Sequence, residues 1–376
     1  MTNKTLHIVL FDVPYPANYG GIIDVFYKLK SLHQLGVKII CHCFYYNGHN
    51  EPTKELNKYC HSVIYYKRKT QLSKLLFSKL PYIISSRSTT KLLSNLKKDD
   101  HPILFEGIHS CYFLNHPELK NRKKIVRTHN IEHDYYEGLA KIEPGFFKQL
   151  YLNREAKKLK QFESKLKLAD YLLSISKMDV NHFSEYSKTI HIPPFFNQKL
   201  RTLNSQVEDT PKFCLFQGNL SVSENIDAVN FILNEIAPKC DYLIKIAGKN
   251  PTQHLKDKIQ NSSNVLLIEN PSEEDMENEL QTAHVNLLFT FQQTGVKLKL
   301  INALQQGKHV IINSLMNDSE LFNNLCTIQD SPKEIIISIN KLMAIPFTQD
   351  LTDNRAIIFK TYFDNTRNAK LIFEIL

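Results

Sequence analysis

The 376 residues, at roughly 150 per domain, predict two domains of ordinary size and exclude a single small one. With 42% hydrophobic and 23% charged residues the chain lies in the globular range, away from the composition of disordered polymers. Its 47 Lys and Arg against 38 Asp and Glu leave a net charge of +9, which favours an anionic partner.

Leu6 to Phe11 is an uninterrupted apolar run and predicts a strand; Ile22 to Leu35 has apolar residues at helical spacing, and Val37 to Phe44 reads as a second strand. The loop after the first strand, Asp12-Val-Pro-Tyr-Pro-Ala-Asn-Tyr-Gly20-Gly21, ends on a glycine pair at a helix start. Only 11 glycines occur in the chain, so the pair is informative. It would let a ligand's oxygens approach backbone N–H groups at the positive end of the helix dipole, or it is a tight turn with no ligand. It is neither a GxGxxG nor a GxxxxGK motif.

Between Glu55 and Asp99 no acidic residue occurs, while Lys58, Lys67, Arg68, Lys69, Lys74, Lys79, Arg87, Lys91, Lys97 and Lys98 all fall in that window. Interleaved with Leu72, Leu75, Leu76, Phe77, Leu80, Tyr82, Ile83 and Ile84, they predict one basic amphipathic face over 58–98, suited to anionic lipid headgroups or else simply solvated. No RNA- or DNA-binding motif accompanies the charge, so nucleic acid is not an expected partner.

Further strands are predicted at Pro102 to Glu106, Lys124 to Thr128, Tyr171 to Ser174 and Thr189 to Ile192, and one long helix over Phe146 to Ala169. Strand runs without polar alternation imply burial on both faces, as in parallel sheets between helices. The strand at Lys124 runs into His129-Asn-Ile-Glu132-His133-Asp134, and such residues beyond a parallel strand's carboxyl end sit where open α/β sheets bind ligands. His129 is the main candidate there, for a sugar hydroxyl or a leaving group. Glu106, His109, Glu132 and His133 are further candidates at the same edge. His129 and His133 could instead ligate a metal with Asp134, but an HxxxH without its Glu is a weak signal, and no metal is expected.

Pro193-Pro194 stop regular structure, and the polar stretch 197–211 predicts a linker between a first domain over 1–196 and a second over 212–353. The second series of strands is predicted at Phe213 to Gln217, Tyr242 to Ala247, Val265 to Ile268, Val285 to Phe289 and His309 to Ile312. Gln217-Gly218-Asn219, Gly248-Lys249-Asn250 and Thr294-Gly295-Val-Lys297-Leu-Lys299 follow three of them. The last leads into a helix over Val296 to Gln306, whose first amides and two lysines could hold a diphosphate. Residues 354–376 have helical spacing with no strand after them.

Seven scattered cysteines predict reduced thiols, and Cys41-His42-Cys43 with Cys60-His61 lies on a buried strand whose alternation opposes a zinc site. No Asp-x-Asp and no GxSxG occurs. The opening apolar run is too short for a signal peptide and no stretch reaches the roughly 18 apolar residues of a membrane span, so a cytoplasmic protein is expected, at most resting on the inner membrane face.

PYPANYGGIIDVFYKLKSLHQLG, THNIEHDYY, NREAKKLKQFESKLKLADYLLSISKMDVNHF, FQGNLSVSENIDAVNFILNEIAP, IAGKNP and GVKLKLINALQQGKHVI stand in this order along the chain. Through them it resembles the GT-B type retaining glycosyltransferases of family 4 over almost its whole length. The resemblance implies an α/β fold of two Rossmann-like domains facing each other across a cleft, with a C-terminal helix, here 354–376, returning to the first. It implies that Gly20 and Gly21 lie against a donor diphosphate and that His129 faces the reacting sugar. Gly218, Asn219, Gly248, Lys249 and Gly295 would line the nucleotide crevice. Where family members commonly carry two glutamates eight residues apart, this chain has Thr294 and Asn302. The Arg and Lys common after the first strand of the second domain are missing from Asn219-Leu-Ser-Val-Ser-Glu224, and Lys297 or Lys299 would replace that charge.

The implied activity is transfer of a hexose from a nucleotide-sugar such as a UDP- or GDP-hexose to a growing glycan or lipid-linked acceptor. It proceeds with retention and without metal or other cofactor, in bacterial surface polysaccharide or glycoconjugate synthesis. A non-catalytic GT-B protein that binds a glycan or partner enzyme is the alternative, and a sugar-nucleotide epimerase of the same fold a third.

Overall fold

The computed structural model describes residues 4–17, 20–70, 78–199, 211–291, 297–317 and 319–376. Two compact units result, one from Met1–Asn197 with Phe363–Leu376, the other from Gln198–Gln293 with Lys297–Tyr362. Most of the stretch expected as a linker, together with Thr294 and Gly295, lies outside the described residues.

The first unit holds β1 (Thr5–Leu10), β2 (Lys38–Tyr45), β3 (Ser62–Lys67), β4 (Ile103–Glu106), β5 (Lys124–Thr128), β6 (Tyr171–Ser174) and β7 (Thr189–His191). They form one sheet in the order β3-β2-β1-β4-β5-β6-β7, every pair parallel. β4 and β5 are buried along their whole length, which is why they read as unbroken apolar runs. In the second unit β8 (Cys214–Asn219), β9 (Ile244–Lys249), β10 (Val265–Glu269), β11 (Val285–Leu288), β12 (His309–Ile312) and β13 (Thr327–Ile328) form a second parallel sheet, ordered β10-β9-β8-β11-β12-β13.

In both sheets the chain works outward from a central strand, then returns to that strand's other side. The order therefore reverses between β1 and β4 in the first sheet and between β8 and β11 in the second. Crossovers leave toward opposite faces at such a point, so a crevice opens beyond the strands' carboxyl ends.

Helix α1 (Gly20–Gln34) joins β1 to β2 and buries Ile22, Val25, Phe26, Leu29 and Leu32, one stripe at helical spacing. On the same buried side lie Asp24 and Lys28, a turn apart. Lys28 Nζ donates to Asp24 Oδ2 at 2.7 Å and pairs with Glu106 Oε1 at 2.9 Å. Arg127, on β5 and fully buried, donates from Nη2 to Asp24 Oδ1 at 2.8 Å and from Nη1 to the Ile192 carbonyl at 2.6 Å. The Phe195 N–H also donates to Asp24 Oδ1, at 2.8 Å. Burial alone would raise the Asp24 carboxyl, but Arg127 and Lys28 outweigh it and hold the group well below the usual carboxylate range. This network joins α1, β4, β5 and the chain after β7 through groups that cannot be left unpaired away from water.

The segment 354–376, expected as one helix, is divided. Helix α7 (Gln349–Tyr362) belongs to the second unit; α8 (Asn365–Glu374) starts afresh where Asp364 caps it, its side chain accepting from the Arg367 N–H at 2.6 Å. Ala369 and Ile372 of α8 share a core with Leu29 and Leu32 of α1, and Lys4 Nζ donates to the Phe373 carbonyl at 2.7 Å. The C-terminal helix is thus packed on the first helix of the chain.

The basic window is not one amphipathic face. Among the described residues it is divided among β3, two short helices at Tyr82–Ser85 and Thr90–Leu96, and loops. Arg87 is buried and donates from Nε to the Phe11 carbonyl at 2.9 Å, while Ile83 and Ile84 lie in a core cluster. Lys58 and Lys97 are ion-paired with Glu55 and Glu118. Leu72, Lys74, Leu75, Leu76 and Phe77 fall outside the described residues. Among the described residues no helix is long and apolar enough to cross a membrane, and no cysteine is in a disulfide.

The Asp24 network yields a quantitative expectation. Asp24→Ala strands a buried guanidinium and ammonium and should cost the first unit about 3–5 kcal/mol in urea unfolding. A loss below about 1 kcal/mol, the worth of an exposed pair, would show that the network is not what secures these elements.

Candidate functional site

In the first unit the expected residues meet at the reversal between β1 and β4. Phe11 follows β1, Gly20 and Gly21 open α1, Glu106 ends β4, and His129 follows β5. The rings of Phe11 and His129 pack edge to face with centroids 5.5 Å apart, and the His109 ring lies 5.3 Å from Phe11 on centroids. A Cβ on Gly21 would come within 2.9 Å of Phe11 Cζ and 3.6 Å of His129 Nδ1, so the glycine allows the helix start to close on both rings.

His129 Nε2 lies 3.3 Å from Glu106 Oε2. Burial would raise the Glu106 carboxyl, but Lys28 and His129 lower it below its ordinary value, so it is an ionised acceptor. The His129 proton therefore belongs on Nε2, and a neutral His129 turns an Nδ1 lone pair toward the first residues of α1. His109 is held neutral by burial, and its Nδ1 has no hydrogen-bond partner. The nearest carboxylate oxygen, Oε1 of Glu132, is 3.9 Å away, too far for a hydrogen bond. Glu132 is itself buried, which pushes its carboxyl up to about 8 and keeps it protonated at neutral pH. Two imidazoles and one neutral acid thus stand beyond neighbouring strands, a set suited to hydroxyl groups.

His133 does not join them. Its Nδ1 is bonded to Glu163 at 2.9 Å, inside the packing of α2 (Glu132–Ile142) on α3 (Phe146–Glu163). Asp24, Glu106 and His129 also converge closely enough to suggest a cation site, but Lys28 and Arg127 already supply its positive charge.

In the second unit the residues gather at the reversal between β8 and β11. Gly218 of β8 and Gly248 of β9 are register partners, and a Cβ on Gly248 would run into the Gly218 carbonyl oxygen. A Cβ on Gly218 would lie 2.8 Å from the Asn225 side chain. Both glycines serve close approach of backbone and side chain at the strand ends. Asn219 turns back on its own loop, its Oδ1 accepting from the Ser221 hydroxyl at 2.7 Å, while Lys249 is exposed. Asn302 is exposed on α6 (Leu298–Gln306).

Lys297 and Lys299, expected to hold a diphosphate, stand near a carboxylate. Glu224, in the first turn of α5 (Ser223–Phe231), lies 3.3 Å from Lys297 Nζ and accepts from the Thr290 hydroxyl. Lys299 Nζ donates to Asn225 Oδ1 at 3.0 Å. Burial pushes the Lys299 ammonium down to about 8, against the pull of Glu224. Burial would raise Glu224, yet Lys297 and the Thr290 hydroxyl hold it below its ordinary value. The cluster carries two cations and one anion, a net single positive charge beside the first turns of α5 and α6.

Sequence reasoning missed Glu224, Thr290 and Phe11 as members of these sites. Glu224 falls in a stretch noted for lacking basic residues, and only its position opposite α6 gives it a role. Phe11 ends the first strand, and that placement was the available signal.

Residues 211–344 match the family described as glycosyl transferases group 1. Over 97% of each chain the protein is 27% identical to an "Uncharacterized 44.6 kDa protein in cps region" of Klebsiella pneumoniae. Among solved structures it is similar to TarM, at 12% identity and a TM-score of 0.69 over 100% of this chain and 99% of that one. An α,α-trehalose 6-phosphate synthase from Burkholderia multivorans aligns at 10% identity and a TM-score of 0.65, over 100% and 98%. Such low identities speak for the fold. With two parallel α/β sheets and a C-terminal helix packed on the first helix of the chain, the protein has a GT-B-like fold, and its second sheet matches the glycosyl transferases group 1.

Proposed function

We propose that this glycosyltransferase moves a hexose from a nucleoside diphosphate sugar to a growing glycan or lipid-linked acceptor, with retention, in bacterial surface polysaccharide synthesis. The observation that carries the reading is the buried Lys297 and half-buried Lys299 beside two helix starts at the strand reversal of the second sheet. A diphosphate brings at least two negative charges, and Lys297, Lys299 and the first-turn amides of α5 and α6 are the groups able to receive them. Glu224 would keep the lysines paired until the donor arrives. In the first unit His129, oriented by Glu106, would accept a hydrogen bond from a sugar hydroxyl. The relative from a cps region supports surface polysaccharide as the product.

A second reading, a GT-B protein that binds a glycan without turning over a donor, is favoured by Thr294 and Asn302 where family members carry carboxylates. Thermal shift with UDP, GDP, ADP and their sugars separates the two. A donor that binds only the folded chain must raise its stability, and no shift with any nucleotide would select the second reading.

If Lys299 meets the diphosphate, nucleotide affinity should fall as pH rises through about 8, because the amine loses its charge there. Calorimetry at pH 7 and pH 9 should show this fall in the wild type and a shallower one in Lys299→Arg. Equal affinity at both pH values, or after removal of both lysines, would take them out of the site. His129→Ala should cut turnover by about 10²- to 10⁴-fold, the usual worth of a positioned proton-transfer group, with the unfolding midpoint little changed. Full activity in this variant would exclude the role. Lipid-linked acceptors also imply contact with anionic headgroups through exposed Lys67, Lys79, Lys91 and Lys98. Sedimentation with phosphatidylglycerol vesicles should then weaken as salt is raised, and no sedimentation at low salt would rule this contact out.

A further inference from the structure

We propose that His133, Glu163 and His182 form a structural binding site for a divalent transition-metal ion of the zinc type, apart from the sugar-transfer groups and independent of the proposed function. The three residues come from the first turn of α2, the last residue of α3 and the short helix α4 (Val180–Ser184). His133 Nδ1 is 2.9 Å from Glu163 Oε1, and His182 Nε2 is 3.1 Å from the same carboxylate's Oε2. The ligand atoms of all three lie within 4.8 Å of one another. Metal–nitrogen bonds of about 2.0–2.1 Å put tetrahedral ligands roughly 3.4 Å apart, so a small contraction closes the set around one ion.

Charge is the stronger argument. Glu163 is 1% exposed, and a carboxylate so buried needs a positive partner. Three other buried carboxylates of this unit have permanent ones: Asp24 has Arg127 and Lys28, Glu106 has Lys28, and Glu155 has Lys158 at 2.7 Å. Among the described residues Glu163 is ion-paired with His133 and His182 alone, side chains that are neutral or charged according to pH and that bind metal when neutral. A divalent cation between the three groups supplies the charge that lysine or arginine supplies elsewhere.

The surroundings are those of a ligand set. His133 Nε2, on the far side of its ring, lies 3.2 Å from Asp134 Oδ1, the carboxylate contact that commonly orients a metal-binding imidazole. The Tyr186 hydroxyl donates to Glu163 Oε2 at 3.4 Å. The His182 side chain is 26% exposed, which gives the ion an entrance and leaves room for a water as fourth ligand. Two imidazoles and one carboxylate suit zinc or ferrous iron, and not the all-oxygen preference of calcium or magnesium. Bound there, the ion would tie α2 to α3 and α4 and so fix the segment that begins with His129.

The test uses the full-length chain without an affinity tag, stripped with chelator and titrated with zinc sulfate. One zinc per chain should bind with a rise in melting temperature, and cobalt(II) in its place should give the visible absorption of a four-coordinate nitrogen–oxygen site. His182→Ala, a half-buried position expected to fold, should abolish both signals. Asp134→Asn should weaken zinc by about 10- to 100-fold, as loss of a ligand-orienting carboxylate does. Failure of the wild type to take up zinc or to give the cobalt spectrum would overturn the site, as would uptake that survives His182→Ala. In that event the cluster is a hydrogen-bonded proton site only.

Discussion

The first unit depends on one buried ion network in which Arg127 and Lys28 compensate Asp24 and Glu106. Three elements that are far apart in sequence present charged groups to a region without water, the chain after β7 adds a backbone N–H and a carbonyl, and no charged element can withdraw without leaving a charge uncompensated. That constraint fixes α1 against β4 and β5, and with it the position of Gly21 against Phe11 and His129. Replacing such a network by apolar side chains is often neutral for stability, so its value here is the definite placement of His129 through Glu106.

The second unit reaches a comparable result through backbone approach and a shared carboxylate. Gly218 and Gly248 let β8 and β9 meet with no side chain between them at their ends, and Glu224 holds Lys297 against the strand that precedes it. The family's usual arrangement places basic residues after the first strand of this domain. Here an acid stands in that stretch and the lysines come from α6, so the positive charge reaches the same end of the sheet from another element.

Much of this was legible in the residues. Uninterrupted apolar runs marked β1, β2, β4, β5 and β12 within a residue or two, because strands buried on both faces have no polar alternation to hide them. β3 was missed since Ser62 to Lys67 is only partly buried at a sheet edge and lies in a lysine-rich stretch. β13, two residues long, carries too little pattern to be seen. The long helix expected over Phe146 to Ala169 is present to Glu163 and tightens into a 3₁₀ turn at Ser164–Leu168. In its described part the basic window is not a single face, because charge sequence alone does not distinguish a helix from a strand and short separate turns of helix.

By itself the sequence determined the two-sheet α/β class, the strand ends on which His129, Gly218 and Gly248 sit, and the glycosyltransferase resemblance, since periodicity and local motifs are short-range properties. Tertiary structure alone decided which polar groups are partners. That Arg127 meets Asp24, Glu224 meets Lys297, and His133 turns from the strand ends to Glu163 depends on separations of 103, 73 and 30 residues. Electrostatic compensation of buried charge acts through space, so no local pattern records it.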